Sequence, residues 1–287
     1  MTISATLELA SGDRCSWSTA APEIEPMLRC FCRCTGLVCR ETPPPAGSAV
    51  LELGRPNPTE YAVTKAVRGC GCRIRMPVAG ASSRAMVADW EVVPEEKRII
   101  LCRIIFFLGV APLLLTGRTA MVHGALARHG DRGAIFLGPS GIGKSTTMTR
   151  LPEPWQVLAD DCFMLSECGN AFVAQPMTTW SVWQSGKPMQ AEPKPDTRVT
   201  IGAIHLLEHG EREEFLPLTP QEARLGITGS FSDMITWHTT YYTPEARSEL
   251  YRRAYEFSER MLAKLPIDRL RLSLTGSLAE LFGTPTK

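Results

Sequence analysis

The stretch GAIFLGPSGIGKSTTMTRL, residues 133–151, decides the fold of the chain. It begins with a short apolar segment typical of a buried strand, and residues 144–151 have the composition of a helix that follows it. Between the two, Gly138–Ser145 matches the pattern G-x-x-x-x-G-K-[ST] at every fixed position. A strand, a glycine loop and a helix in this order predict a nucleotide-binding α/β unit.

Each part of the glycine loop has a physical role in binding phosphate. Glycines allow a sharp turn in which backbone N–H groups converge on phosphate oxygens, and the helix N-terminus adds free donors. Lys144 would reach the outer phosphates, and Ser145 would offer its hydroxyl to Mg²⁺. The predicted nucleotide-binding residues are therefore Gly138, Pro139, Ser140, Gly141, Ile142, Gly143, Lys144, Ser145 and Thr146.

Two adjacent aspartates, Asp160 and Asp161, end a second apolar segment, WQVLADD at 155–161. A strand here should deliver them beside the metal and the outer phosphate, where one carboxylate suffices to hold Mg²⁺. Because successive side chains of a strand point to opposite faces, the pair suggests two roles, a metal ligand and a general base. The alternative is one metal aspartate and one capping or turn aspartate. His123, taken alone, is better explained as a hydrogen-bonded core histidine.

Composition excludes several classes of protein. Thirty-one basic and thirty acidic side chains leave a net charge of +1, which argues against a nucleic-acid binder. The longest apolar run, IIFFLGVAPLLL at 104–115, is shorter than the ~20 residues that span a bilayer, so we expect a buried helix and no membrane partner. The first residues, MTISATLELASGDRCSW, lack a signal-peptide pattern, so we expect a cytoplasmic, reducing location.

Cysteine is concentrated near the N-terminus. Eight of the ten cysteines precede residue 103, in segments such as RCFCRCTGLVC (29–39) and GCGC (69–72). The usual structural-zinc pattern is C-x2–4-C, paired twice, whereas only one residue separates each of the successive cysteines Cys30, Cys32 and Cys34. In a strand they would share one face and pack as small core hydrophobes, which is the favoured interpretation. A zinc or iron–sulfur site is the alternative.

Two regions of the sequence differ in how apolar and turn-forming residues are distributed. Residues 1–95 contain short apolar segments separated by Pro, Gly and Ser clusters, which predicts a small β-rich N-terminal domain. Residues 96–287 interleave strand and helix patterns, which predicts an α/β domain. Its late segment ARSELYRRAYEFSERMLAKL, 246–265, has apolar positions at helical spacing.

Taken together, these motifs resemble the catalytic domain of the HPr kinase/phosphorylase family. That family has HG on a strand, a short hairpin, the loop G-x-S-G-x-G-K-S and then L-x-D-D some fifteen residues later. The chain has His123-Gly124, GPSGIGKS at 138–145 and LADD at 158–161. The resemblance implies a P-loop fold of the HPr-kinase and PEP-carboxykinase type, with a mixed sheet and helices.

The resemblance also implies roles for individual residues. Asp161 would be the base that takes the proton from an attacking serine hydroxyl, and Asp160 would hold Mg²⁺ with Ser145. Lys144 would neutralise the β- and γ-phosphates. His123 would lie near the transferred phosphate and orient or polarise it. Asp161, His123 and Lys144 are therefore the predicted catalytic residues, and Ser145 and Asp160 the predicted metal ligands.

The chain also departs from that family. Thr146 stands where the family has a Glu after the loop serine, and the later catalytic loops have no match; AQPMTTWSVWQSG, 174–186, stands where they would fall. Reverse phosphorolysis and HPr itself as substrate are therefore not expected. With FLPLTPQEARLG at 215–226, the chain is more similar to the stand-alone HPr-kinase-like proteins of peptide-modification clusters, such as lasso-peptide kinases and the SynChlorMet cassette protein.

These observations favour an ATP- and Mg²⁺-dependent kinase that phosphorylates a Ser or Thr hydroxyl of a peptide or small protein. A ribosomal precursor peptide is the acceptor that the resemblance implies. Two alternatives stay open: a non-catalytic ATP-binding regulatory or scaffold protein of a peptide-modification pathway, and an ATPase. The helical tail and the habit of the family also favour homo-oligomers.

Overall fold

The computed structural model describes residues 1–54, 61–67, 72–77, 86–90, 97–180, 194–238 and 244–283. In this part of the chain there are two mixed β-sheets and six helices. Cys70 and the segment 181–186 with Trp183, both singled out in the sequence, lie outside the described residues.

The elements follow one another in this order along the chain. The N-terminal elements are β1 (Ile3–Glu8), β2 (Arg14–Thr19), α1 (Glu25–Thr35), β3 (Cys39–Arg40), β4 (Ala49–Leu53), β5 (Tyr61–Val67), β6 (Cys72–Pro77) and β7 (Met86–Trp90). Then come α2 (Arg98–Leu114), β8 (Thr119–His123), β9 (Ala125–His129), β10 (Arg132–Leu137), α3 (Lys144–Arg150), β11 (Gln156–Ala159), β12 (Cys162–Cys168) and β13 (Ala171–Pro176). The last are β14 (Val199–His209), β15 (Glu214–Leu216), α4 (Pro220–His238), α5 (Pro244–Lys264), β16 (Ile267–Leu272) and α6 (Ala279–Phe282).

The first sheet contains β1 to β7 in the order β3-β1-β2-β4-β7-β6-β5. β2, β4 and β7 run parallel, and the other neighbours are antiparallel. Helices α1 and α2 pack against this sheet. The N-terminal region is therefore rich in β-structure, as the turn-rich sequence predicts, but it also carries a helix.

The prediction that Cys30, Cys32 and Cys34 lie in a strand is wrong, because they lie on α1. The alternating cysteines fit a strand over five residues, but the apolar residues of the longer segment recur at helical spacing. Pro26 stands in the first turn, where it fits a helix, and Gly36 ends the helix at a φ of 73°. Its N–H donates to the carbonyl of Cys32 at 2.8 Å. The helix between Pro26 and Gly36 is therefore favoured over the strand that the alternating cysteines suggest.

Helix α2 confirms the buried helix expected over the long apolar run. Ten of its seventeen residues are buried, and they contact β2 and β4 of the first sheet as well as β8, α4 and α5. Pro112 lies in its last turn, and the helix ends at Leu114. No helix in the described part of the chain combines the length and apolarity that crossing a bilayer requires.

Trp17, in the middle of β2, fixes the position of α2. Its indole Nε1 donates a hydrogen bond of 2.7 Å to the carbonyl oxygen of Ile105. Its ring stacks on Phe106 with centroids 5.8 Å apart and lies 4.8 Å from Phe31 of α1. The first sheet and both N-terminal helices therefore meet at one buried aromatic cluster.

The second sheet has the order β11-β9-β10-β14-β13-β12-β8, and β16 joins the second half of β14. β10 and β16 run parallel to β14, and the other pairs are antiparallel, so the sheet is mixed as expected. Helices α4 and α5 cover β8, and α3 contacts β9. The strand predicted over 133–138, the helix after it and the helix over 246–265 are confirmed as β10, α3 and α5.

The contact between α2 and Trp17 generates a stability prediction. A methyl group added at Gly109 would overlap the indole at its Nε1 and Cε2 atoms. We expect Gly109→Ala to destabilise the protein by about 1–3 kcal/mol, the usual cost of overpacking a core. Urea unfolding measures the change.

Gly229→Ala in α4 is the matched control, because nothing lies within 4 Å of the added methyl group. There we expect a stabilisation of up to about 1 kcal/mol from helix propensity. Equal effects at both positions would contradict the described packing of α2.

Candidate functional site

The glycine loop, Gly138–Gly143, connects the end of β10 to the start of α3. Gly141 and Gly143 have φ angles of 85° and 99°, a region that only glycine adopts without strain. The loop is largely exposed, and the first amide groups of α3 follow it directly. Strand, loop and helix are thus arranged as the sequence predicts, with Thr146 exposed on the first turn of α3.

Lys144 places a buried cation against this loop. Its Nζ donates hydrogen bonds to the carbonyl oxygens of Gly138, at 2.8 Å, and Pro139, at 3.2 Å. Burial lowers the pKa of Lys144 below the usual range, and the charges of nearby Asp161, Asp233 and Asp160 oppose that shift. The ammonium group therefore lies between the loop and three carboxylates.

Asp160 faces Ser145 from the end of β11. Burial raises the pKa of Asp160 above the usual carboxyl range, while a hydrogen bond from Ser145 opposes the shift. Its Oδ1 atom is buried and has no hydrogen-bond partner among the described residues. A buried carboxylate oxygen without a partner is costly, and a cation would satisfy it. The hydroxyl of Ser145 and the Asp160 carboxylate are also the hard oxygen ligands that Mg²⁺ prefers, so these residues fit the metal.

Asp161 points to a different partner. One of its carboxylate oxygens lies 3.7 Å from Nε2 of His123, and 29% of its side chain is exposed. Strand pairing explains this contact, because His123 ends β8 directly opposite Cys162, the first residue of β12. The two adjacent aspartates therefore have separate surroundings, one beside Ser145 and one beside the histidine.

Asp233 is a site residue that sequence reasoning missed. Its Oδ2 lies 3.2 Å from Nδ1 of His123, on the other side of the ring from Asp161. It comes from α4, 110 residues further along the chain. The signal in the sequence was a lone carboxylate between Phe231 and Met234, both of which are buried core residues of α4.

Gly124 explains how the end of β8 can approach the end of β10, the strand that leads into the glycine loop. A Cβ at this position would lie 2.7 Å from Cδ2 of Leu137 and 3.0 Å from the carbonyl oxygen of Phe136. Its N–H also donates to the backbone carbonyl of Asp161 at 3.2 Å. The HG pair of the sequence therefore combines a functional side chain with a residue small enough for close contact.

Two arginines near these motifs and a tryptophan of the segment 174–186 lie elsewhere. Arg118 pairs with Asp13, and Arg128 binds the side chain of Gln156 at 2.9 Å. Trp180 is buried against Phe106, so it packs in the core. The structure thus assembles His123, Lys144, Ser145, Asp160 and Asp161 in one place and adds Asp233.

The surroundings of Asp160 predict how the charge of its carboxyl group affects the free energy of unfolding of the protein. Since the pKa of Asp160 is raised in the folded protein, its charged form opposes folding, and the free energy of unfolding falls as the pH rises from the usual carboxyl pKa through the folded pKa. We expect Asp160→Asn to raise the free energy of unfolding at pH 7 by on the order of 1 kcal/mol, with a smaller gain near pH 4. Urea unfolding at both pH values measures the difference.

Asp131→Asn, at the exposed turn between β9 and β10, is the control and should leave stability unchanged. If Asp160→Asn is less stable than the wild type at pH 7, its carboxylate is better satisfied than the structure indicates.

A comparison with protein families identifies the chain. The family model of SynChlorMet cassette protein ScmC matches residues 83–283, which include α2 and every site residue named above. A comparison with curated proteins finds no match. The match covers more than half of the sequence, and it confirms the SynChlorMet part of the expected resemblance. The chain therefore belongs to the family of SynChlorMet cassette protein ScmC.

Proposed function

We propose that the chain is an ATP- and Mg²⁺-dependent kinase that transfers a γ-phosphate to a Ser or Thr hydroxyl of a peptide or small protein. The observation that carries this proposal is the convergence of three separate segments on the glycine loop and the first turn of α3. They bring Lys144, the Asp160–Ser145 pair, Asp161 and the His123–Asp233 pair together. Phosphoryl transfer relies mainly on positioning and charge, which such a set supplies.

Nucleotide binding is assigned to the glycine loop and Lys144. The loop amides would surround the phosphate oxygens, and the ammonium group, already held at the loop, would contact the β- and γ-phosphates. Ser145 and Asp160 would hold Mg²⁺ through the hydroxyl and the unpaired carboxylate oxygen. When bound, Mg²⁺ neutralises charge that develops on the phosphates.

Asp161 is assigned the role of general base, which accepts the proton of the acceptor hydroxyl. As the acceptor hydroxyl oxygen bonds to the γ-phosphorus, the bond from that phosphorus to the β–γ bridging oxygen breaks and ADP leaves. The hydroxyl proton passes to the Asp161 carboxylate, which is partly exposed and so accessible to an incoming hydroxyl. His123 would orient the transferred phosphate, and Asp233 would hold the imidazole by its other nitrogen.

The family name gives the biological context of the proposal. It describes a cassette protein, which fits an enzyme that acts beside other proteins on a shared substrate. Together with the resemblance to lasso-peptide kinases, this supports a ribosomal precursor peptide as acceptor.

Two alternatives have specific support. The partial exposure of Asp161 also suits a water molecule as acceptor, which would make the chain an ATPase. Thr146, at the position of the HPr-kinase Glu, favours a protein that binds ATP without transferring phosphate.

A transfer assay separates these three functions. With γ-labelled ATP, Mg²⁺ and an array of Ser- and Thr-containing peptides, we expect label on peptide hydroxyls. Asp161→Asn should reduce transfer by roughly 10²–10⁴-fold, the usual contribution of general-base catalysis, while nucleotide binding persists. Lys144→Ala should lose nucleotide binding itself.

Asp131→Asn is the matched control, since it makes the same chemical change at an exposed turn, and it should retain full activity. Label released only as free phosphate would support the ATPase. Nucleotide binding with neither transfer nor hydrolysis would support the scaffold protein.

Asp233 is predicted to act as a positioning residue. Asp233→Asn should lower kcat by roughly 10- to 100-fold, as happens when a carboxylate that orients a functional histidine is lost, without changing KM for ATP. Asp233→Glu should restore part of kcat, because the longer carboxylate can still reach Nδ1 of His123. A purely structural role would instead lower the stability of both variants and leave kcat of the folded fraction unchanged.

A further inference from the structure

Three cysteines outside the candidate active site form a compact cluster. Cys30 and Cys34 lie one turn apart on α1, and Cys102 lies in the first turns of α2. Their three sulfur atoms all lie within 4.8 Å of one another, the one such group of cysteine, histidine or acidic residues in the described part of the chain. We call these residues the three-cysteine cluster.

The packing of α1 against α2 creates this cluster. Side chains four residues apart share one face of a helix, so Cys30 and Cys34 both point towards the neighbouring helix. Cys34 and Cys102 are buried, with 1% and 0% exposure, whereas Cys30 is only partly buried. The cluster therefore has two sulfur atoms in the core and one at the edge of the solvent.

The chemistry of the cluster differs from that of an isolated core thiol. Hydrogen bonds with Cys102 and Cys34 lower the pKa of the Cys30 thiol, and Arg33 lowers it further. Cys15, by contrast, is fully buried, and there burial alone raises the pKa of the thiol. Three sulfur atoms within 4.8 Å of one another, beside the guanidinium of Arg33, resemble a ligand set more than isolated packed side chains.

The distances also suit a metal ion. Three sulfur atoms bound to one Zn²⁺ at about 2.3 Å lie about 3.8 Å apart in tetrahedral geometry, so a small contraction of the cluster suffices. A disulfide would need two sulfurs at about 2.05 Å and would leave the third thiol unused. Arg33 compensates part of the negative charge that three thiolates carry beyond the charge of the ion.

We propose that Cys30, Cys34 and Cys102 bind one Zn²⁺ ion as thiolates, with the fourth coordination position at the partly exposed side of Cys30. Binding would release the remaining thiol protons to solvent and join α1 to α2. Because α2 also packs on β8, the strand that ends at His123, the ion would secure the helix shared by both sheets. The site is independent of the proposed kinase activity.

Zinc content and cobalt binding test this proposal on the full chain. Protein purified under reducing conditions without chelator should retain about one equivalent of zinc. After removal of the metal, Co²⁺ should bind with equal stoichiometry and show sulfur-to-cobalt charge-transfer and tetrahedral visible absorption, and Zn²⁺ should displace it. Zn²⁺ should also protect three cysteines from alkylation.

Cys30→Ser is the main variant, because its partly exposed position makes it the mildest change in the cluster. We expect at least a roughly tenfold loss of zinc affinity and no increase in Tm on adding Zn²⁺. Cys168→Ser, at a partly exposed thiol on β12, is the matched control and should bind zinc like the wild type.

Three outcomes would overturn the proposal. The first is that wild-type protein binds neither Zn²⁺ nor Co²⁺ while its thiols react freely. Mass spectrometry of peptides could instead show a disulfide between two of the three cysteines in protein kept under reducing conditions. Finally, undiminished zinc binding by Cys30→Ser would assign the metal to other thiols of the chain.

Discussion

Helix α2 is apolar around most of its circumference, and ten of its seventeen residues are buried. These buried side chains need cover on several sides, and both sheets contribute to it together with the neighbouring helices. Trp17 and Phe31 contact it from the N-terminal side, and Met121, Cys162 and Met234 belong to the same core on the other side. The N-terminal sheet and the half of the chain that carries the site are thus joined by a common core.

The second constraint is electrostatic. Three carboxylates, Asp160, Asp161 and Asp233, surround the single ammonium group of Lys144, so the local charge balance is negative. Burial opposes the charged forms of both Lys144 and Asp160, which makes the ligand-free arrangement costly. A divalent cation together with a polyphosphate would satisfy both signs of charge. Binding of these two ligands would therefore remove the unfavourable free energy of the buried charges at this site.

Local patterns predicted the parts of the site that lie close together in sequence. The strand, the glycine loop and the helix are encoded within residues 133–151, and His123 and the aspartates flank them. Asp233 could not be predicted, because its contact with His123 depends on how α4 packs over β8. The strand prediction for Cys30, Cys32 and Cys34 failed because it relied on a local pattern. An alternation over five residues is too short to exclude a helix. The contact of Cys30 and Cys34 with Cys102 again arises only from tertiary packing.

The junction at Gly124 has a consequence for how the chain tolerates changes in length. A single residue separates β8 from β9, and β8 pairs with β12 while β9 pairs with β10 and β11. An insertion or deletion within either strand would shift His123 relative to the glycine loop, and no connecting loop is long enough to absorb it. The turn at Gly130 and Asp131, at the far end of the hairpin, is exposed and carries no such constraint. We therefore expect extra residues, such as a label or an epitope, to be accommodated at this turn and not within β8 or β9.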